Sequence, residues 1–222
     1  MRFIRKYWRK FKSLFTKGRV NHPAPIQNGH SSPRTSTKLL EKLETMFYSC
    51  AIASGKWGVK AENIAYNIEH NFYRYKEVSE KTGVPVEVIG AIHSLESDLD
   101  FRTVLHNGER IIGKNRKTRL VPKGRGPFET WEEAAIDALK MKKNIMPKKW
   151  AIGETLNFLE KFNGLGYRKY HKDVNSPYLW SGTTCYTKGK YVADGKFSPT
   201  AVSKQVGAVA ILKYLNYKAV SE

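Results

Sequence analysis

Residues 84–101 read Val-Pro-Val-Glu-Val-Ile-Gly-Ala-Ile-His-Ser-Leu-Glu-Ser-Asp-Leu-Asp-Phe, an apolar helical pattern that carries a carboxylate on its inward side. Thr82 and Gly83 can cap it, and Pro85 suits a first turn, where its missing N–H costs nothing. Val88, Ile89, Ile92, Leu95 and Leu99 recur at helical spacing. Glu96 lies four residues after Ile92 and seven after Ile89, so it shares their face. A carboxylate held against apolar side chains is destabilised in its charged form, which is how a protein makes a carboxylic acid that still donates a proton near neutral pH. The alternative is a Glu at the helix margin, reaching water or pairing with His93.

At 222 residues, 41% of them hydrophobic, the chain can bury a proper core, and one domain plus an extension is the natural expectation. The formal net charge is +19. Residues 1–40 hold ten Lys and Arg and no acidic residue, yet the remaining residues still carry 29 basic against 20 acidic side chains. A body that is basic without its tail favours a polyanionic partner: nucleic acid, an anionic membrane surface or an acidic wall polymer. Cys50 and Cys185 are too few for a disulfide framework and lack metal-ligand spacing. Cys50 falls on the apolar stripe of a predicted helix and is expected to be a buried free thiol. No apolar run approaches bilayer-spanning length, and no ordinary signal peptide is read, because Lys and Arg interrupt the N-terminus throughout.

Residues 1–20 read as a cationic amphipathic helix. Phe3, Ile4, Tyr7, Trp8, Phe11, Leu14 and Phe15 form one stripe, and Arg2, Arg5, Lys6, Arg9, Lys10 and Lys12 fill the rest. Such a segment suits an anionic membrane or lipopolysaccharide surface through Arg2, Arg5, Lys6, Trp8, Arg9, Lys10 and Phe11. The alternatives are an arm packed on the body or bound to nucleic acid; seven large apolar residues exceed what phosphate contacts require, so no nucleic acid is expected. Residues 21–37, rich in Pro, Ser, Asn and Gly, read as a flexible linker, leaving 38–222 as the folded domain.

That domain reads as mainly helical with short β pieces. Leu39, Leu40, Leu43, Met46, Phe47 and Cys50 make a first helix, and residues 61–81 continue in helical style. After the Glu96 helix, Asn107-Gly108 between the short apolar runs of residues 101–112 signals a β-hairpin, with Thr118 to Val121 as a possible third strand. Thr130-Trp-Glu-Glu133 is a capping box that opens a helix through Ala135, Ala138 and Leu139. Ile152, Leu156, Leu159 and Phe162 mark another, closed by Gly164. Ser198-Pro199 is expected to start the last, with Val202, Val206, Val209, Leu212 and Leu215 inward. Asp194-Gly195 reads as a tight turn.

A helix that ends in an apolar-faced Glu, runs into a hairpin and is followed by more helices resembles the lysozyme-like superfamily of peptidoglycan glycosidases. Leu95-Glu96-Ser97-Asp98-Leu99-Asp100-Phe101 is similar to the Glu-Ser motif of soluble lytic transglycosylases, and Lys161-Phe162-Asn163-Gly164-Leu165-Gly166-Tyr167 to their Tyr-Asn-Gly motif. His106-Asn-Gly, Pro127-Phe-Glu-Thr-Trp131 and the stretches 176–180 and 186–195 resemble a group of phage and bacterial lysozyme-family proteins. The likeness spans roughly Ser79 to Leu215. One departure stands out: the Gly-Leu-Met-Gln strand common in transglycosylases is missing, and His106-Asn-Gly-Glu stands near its place.

The resemblance implies an α+β, predominantly α, lysozyme-like fold with a small β-hairpin lobe. It implies a wall-degrading enzyme, an endolysin or virion-associated hydrolase, that cleaves the β-1,4 bond between N-acetylmuramic acid and N-acetylglucosamine without metal or cofactor. It would act as a monomer on bacterial peptidoglycan, in the host periplasm or from a virion. Glu96 is the implied general acid, and Ser97, His106, Asn163, Gly164, Tyr167, Tyr178 and Trp180 the implied substrate-binding residues. Hydrolysis usually needs a second carboxylate, whereas a transglycosylase lets the sugar's own C6 hydroxyl attack. Asp98, Asp100, Glu109 and Asp194 are all poor candidates for that second group, which favours a lytic transglycosylase over a hydrolytic lysozyme. A reading of another class is a non-enzymatic cationic protein that binds membranes or nucleic acid.

Overall fold

The computed structural model describes residues 36–193 and 195–218. The amphipathic segment 1–20, the linker up to residue 35 and Asp194 lie outside them, so the membrane-facing expectation for Arg2, Arg5, Lys6, Trp8, Arg9, Lys10 and Phe11 has no structural counterpart. Among the described residues the architecture is α-rich with one two-stranded antiparallel sheet.

The first helix, α1 (Thr37–Ser49), begins where the Ser36 side chain accepts a bond from the Leu39 N–H. The polar helical stretch that follows is two helices, α2 (Lys56–His70) and α3 (Phe72–Thr82), broken at Asn71. Gly83 closes α3 in the left-handed conformation, and Thr82 bonds back to the Val78 carbonyl. Thr82 and Gly83 therefore end the preceding helix rather than cap the next. The carboxylate-bearing helix, α4 (Val86–Ser97), starts after Pro85, which sits in extended geometry at the capping position.

Helix α4 is the centre of the fold. Every residue from Val88 to Leu95 is buried, so the helix is covered on all sides and not only along a stripe. The cover comes from α2, α3 and the last helix, α9 (Ala208–Tyr214). Gly90 permits a close approach by α2: a Cβ there would lie 2.6 Å from Ile68 Cγ2. Glu96 is the first part-exposed residue after that run, and Asp98 and Leu99 then turn the chain out through left-handed conformations.

The Thr130 capping box forms in full and opens α5 (Trp131–Lys140), which packs on α3. Helix α6 (Ile152–Asn163) packs on α1 and ends at Gly164, whose φ of 117° explains the glycine there. Two short helices follow, α7 (Gly166–Tyr170) and α8 (Pro177–Trp180).

Three expectations are corrected. The sheet is not at residues 101–121. It is β1 (Lys190–Ala193) against β2 (Lys196–Ser198), paired antiparallel. Around Asn107-Gly108 the turn itself does form, with Val104 N–H donating to the Glu109 carbonyl at 2.9 Å, but no ladder grows from it. The backbone groups that a third strand would offer are taken by side chains: the Glu109 carboxylate accepts from the N–H groups of Arg119 and Leu120 at 3.0 Å.

The last helix starts nine residues later than expected, because residues 199–207 run as a non-helical cover. Ser203 N–H donates to Tyr186 Oη, and Gln205 Nε2 to the Leu95 carbonyl. Val202 is accordingly exposed, while Val206, Val209 and Leu212 are buried.

Cys50 is not a free thiol. It is bonded to Cys185, 135 residues away, with the two Cα atoms 5.8 Å apart. The neighbouring chains pair as well, through an antiparallel bridge between Ile52 and Thr183 and a bond from Ala53 N–H to the Gly182 carbonyl. A pairing this remote in sequence leaves no spacing signal. Among the described residues no helix is long and apolar enough to cross a membrane.

Candidate active site

Glu96 emerges at the rim of the body because α4 is buried from Val88 to Leu95 and breaks two residues later. Its Oε1 accepts a hydrogen bond from the Tyr178 hydroxyl at 3.3 Å, joining two of the residues singled out in the sequence across 82 positions. Tyr178 is 2% exposed. Burial, and after it the neighbouring Glu96 charge, pushes the Tyr178 hydroxyl well above the usual phenol range. The phenol therefore keeps its proton and remains a donor toward Glu96 throughout the working pH range.

Helix α8 fixes Tyr178. Pro177 stands at its first position, and Gly207 backs it from behind. A Cβ on Gly207 would fall 2.6 Å from the Leu179 carbonyl oxygen, and the Gly207 N–H donates to the Ser181 carbonyl at 2.7 Å. Downstream, the Cys50–Cys185 bond and the strand-like pairing with residues 51–53 tie the same segment to the end of α1. Trp180 is buried with a relative exposure of 2% and belongs to the main core. It anchors α8 and has no face open for a sugar, a correction to its expected stacking role. Ser97 is also inward, its hydroxyl donating to the His93 carbonyl one turn back.

The Tyr-Asn-Gly-like stretch folds as its sequence suggests, with a helix end and a turn. Asn163 is buried on the last turn of α6, and its Oδ1 has no protein donor. Gly164 caps the helix. The Tyr167 oxygen accepts from the Tyr191 N–H at 3.2 Å, and its ring packs edge-on against Tyr191 and Phe197 of the hairpin. Burial raises the Tyr167 hydroxyl above its ordinary range. The hydrogen bond thus links Tyr167 to the sheet and not to Glu96.

His106 is held in a different network. Its Nε2 lies 2.7 Å from Asp137 Oδ2, and Arg125 pairs with the same carboxylate through Nε at 2.8 Å. Burial alone pushes the Asp137 carboxyl up, but the bonds from Arg125 and His106 outweigh it and hold Asp137 below the usual carboxylate range. Burial lowers the His106 imidazole. The ionised Asp137 therefore faces an Nε2–H, which fixes the neutral tautomer with its lone pair on Nδ1. Nothing in the sequence flagged Asp137 or Arg125, since the link runs over 31 and 12 positions without a shared motif.

Of the candidate second carboxylates, Asp100 is bonded to Arg102 at 2.8 Å and lies 3.9 Å from Arg110. The Arg102 bond holds its carboxyl below the ordinary value. Glu109 is spent on Asn107, Arg119 and Leu120. Asp98 is exposed at the end of α4, and Asp194 lies outside the described residues. His93, the alternative partner for Glu96, is instead fully buried with Nδ1 2.9 Å from the Tyr75 hydroxyl. Among the described residues no group of three or more His, Cys, Asp or Glu side chains is arranged to hold a metal ion.

In chemical terms, the site offers one carboxyl at the mouth of an apolar body, a phenol that donates to it, and a basic lobe beside the helix that carries it. Arg110, Lys114, Arg116, Lys117, Arg119 and Lys123 are exposed along that lobe. Compared with known proteins, the chain matches no family model, no curated protein and no solved structure.

Proposed function

We propose that the chain is a peptidoglycan glycosidase with a lysozyme-like fold, which cleaves the bond between N-acetylmuramic acid and N-acetylglucosamine with Glu96 as general acid. The observation that carries this reading is the Glu96–Tyr178 pair: a single carboxyl at the end of a buried central helix, set by a phenol that cannot ionise under working conditions. Glycoside cleavage needs a proton on the leaving oxygen and support for an oxocarbenium-like centre. Glu96 supplies the first. In a second step the same carboxylate takes a proton from the incoming hydroxyl, and the Tyr178 O–H steadies it while it is ionised.

Because Asp100 and Glu109 are occupied within the lobe, a mechanism with one carboxyl is favoured, in which the muramic acid C6 hydroxyl attacks and a 1,6-anhydro end results. The entropy saved by not capturing a water assists that internal attack. The exposed cations of the lobe suit the acidic groups of the wall. The wall as partner, and action outside the cytoplasm, follow from this reading.

The Glu96→Gln substitution keeps shape and hydrogen bonding but removes the transferable proton, so release of fragments from purified sacculi should fall by ~10²–10⁴-fold. The variant should melt at the same temperature or higher, since a half-buried carboxylate is a stability cost. Turnover near that of the parent in the folded variant ends the proposal. Digestion in ¹⁸O-labelled water then separates the products: label in new muramic acid ends means hydrolysis, and unlabelled anhydro ends mean a transglycosylase.

A further inference from the structure

The Glu96–Tyr178 bond joins the last turn of α4 to the short helix α8, and one segment of chain bonds to both. Gln205, in the non-helical cover before α9, donates from Nε2 to the Leu95 carbonyl at 2.8 Å, across 110 positions and one residue before Glu96. Two residues on, the Gly207 N–H donates to the Ser181 carbonyl at 2.7 Å, at the end of α8. A Cβ on Gly207 would lie 2.6 Å from the Leu179 carbonyl oxygen, so the missing side chain lets this strap lie directly on the helix of Tyr178. The strap is itself held on either side of Gln205, by Ser203 N–H on Tyr186 Oη at 3.1 Å and by the buried Val206.

The Leu95 carbonyl needs this donor. A continuing helix would offer it the Leu99 N–H, but that group goes to the His93 carbonyl, and the Asp98 N–H goes to Ser94. Leu95 is only 5% exposed, and a carbonyl left there without a donor is costly. A carbonyl only accepts, so the Gln205 amide turns its N–H groups toward it.

We propose that Gln205 is a positioning residue, which sets the Glu96 carboxyl against the Tyr178 hydroxyl by clamping the end of α4 to the strap that seats α8. The inference rests on the glycosidase reading and adds to it a residue that acts through Leu95, without touching the sugar. The Glu96–Tyr178 contact, at 3.3 Å, is long for a bond between two oxygens, so a small shift of either end breaks it. Without the clamp the acid keeps its chemistry but loses its fixed direction, and a displacement of about 1 Å can cost ~10²-fold in rate.

The test follows release of fragments from purified sacculi by variants of the full chain. Gln205→Ala removes the donor, and Gln205→Glu keeps the shape but sets a carboxylate against the Leu95 carbonyl. Both should lower kcat about 10–100-fold and leave KM within about twofold of the parent. Tyr178→Phe removes the other half of the contact, so adding Gln205→Ala to it should cost less than about threefold more. Parent-like kcat in both Gln205 variants, a raised KM with kcat unchanged, or losses that multiply in the double variant overturns the proposal. A second measurement does not depend on turnover: in Gln205→Ala, amide exchange should quicken at Asp98 and Leu99 while α5 and α6 exchange as before. If the parent releases no fragments, the glycosidase reading fails, and faster exchange confined to the end of α4 still upholds the clamp. Unchanged exchange, or faster exchange throughout the body, overturns the clamp however the digestion falls.

Discussion

Eight consecutive residues of α4, Val88 to Leu95, are buried by helices packed around them, whereas the lobe from Phe101 to Trp131 is held mainly by polar side chains that bond to its own backbone. The lobe's separate apolar cluster is small: Val104, Ile111, Phe128 and Ala134, with Ile112 at its edge. Its order comes instead from Glu109 and Asn107 holding the 119–120 backbone, from Thr118 receiving the Arg125 N–H, and from the Arg125–Asp137–His106 chain. The body is specified by a pattern repeated over many residues. The lobe is specified by single residues, each of which decides where several backbone groups go. This division also separates charge, because the body carries Glu96 at the end of α4 and the lobe carries a run of exposed cations.

If the comparison is right, the largest single-site stability effect belongs to the body. Ile92 is fully buried in the middle of α4, and Ile92→Ala should cost about 2–5 kcal/mol, read as a lowered midpoint in denaturant unfolding followed by circular dichroism. A loss below 1 kcal/mol would mean that the packing around α4 is looser than described. Next comes the Cys50–Cys185 link, which closes a loop of 135 residues within the body. Replacing both cysteines by alanine should cost about 2–4 kcal/mol. Because the link tethers the Tyr178 segment, the glycosidase proposal expects release of fragments from sacculi to fall more than the folded fraction does. Equal losses would show that the link acts on stability alone.

The lobe predicts a smaller and local effect. Glu109→Ala removes a charged acceptor from the N–H groups of Arg119 and Leu120, worth about 1.5–3 kcal/mol. Amide exchange should quicken across residues 104–124 while α4 exchanges as before. Faster exchange in α4 would break the distinction between the two regions, showing that the lobe and body open as one unit.

The same division explains what could be read from the sequence. Helices α1, α4, α5 and α6 carry long apolar periodicities and local stop or start signals, such as the Thr130 capping box and Gly164, and these emerge at their expected places. Glu96 could be placed because its neighbours at four and seven residues are buried apolar side chains. Asn107-Gly108 signals a hairpin, and the turn is real, but Glu109 diverts the backbone donors, an outcome that depends on a partner ten residues on. The Ser198-Pro199 helix start failed because Ser198 is claimed by β2, and the extended stretch after it bonds to Tyr186 and Leu95. The Cys50–Cys185 bond and the Asp137–His106 contact are long-range pairings whose members carry no mark of each other. Tyr178 was in the set of sugar-binding candidates for its aromatic face, while its bond to Glu96 is a property of α8 docking against Gly207.

The last effect, read as a pH slope, tests the joint between the two regions. Phe101 opens the lobe and Trp131 closes it, and both rings pack on His93 of α4, with centroid distances of 4.6 and 4.5 Å. Tyr75 completes the box through its hydroxyl on His93 Nδ1, and the Arg74 guanidinium covers Phe101 at 3.8 Å while it pairs with Glu132. Burial pushes the His93 imidazole down to about 3 from its usual 6.5. The folded state therefore holds His93 neutral at pH values where the unfolded chain binds a proton. Between about pH 6.5 and 3 the unfolded state is the one that gains from acid, so stability present above pH 6.5 is lost progressively as the pH falls toward 3. The slope is at most about 1.4 kcal/mol per pH unit for this one group. His93→Gln keeps a hydrogen-bonding side chain for Tyr75 but cannot titrate, so urea unfolding of the variant should show a flatter pH dependence across that window. If the box is the joint, acid should speed amide exchange at the two lobe ends, near residues 101 and 131, before it does so in α6. Uniform acid loosening, or an unchanged slope in the variant, would place the joint elsewhere.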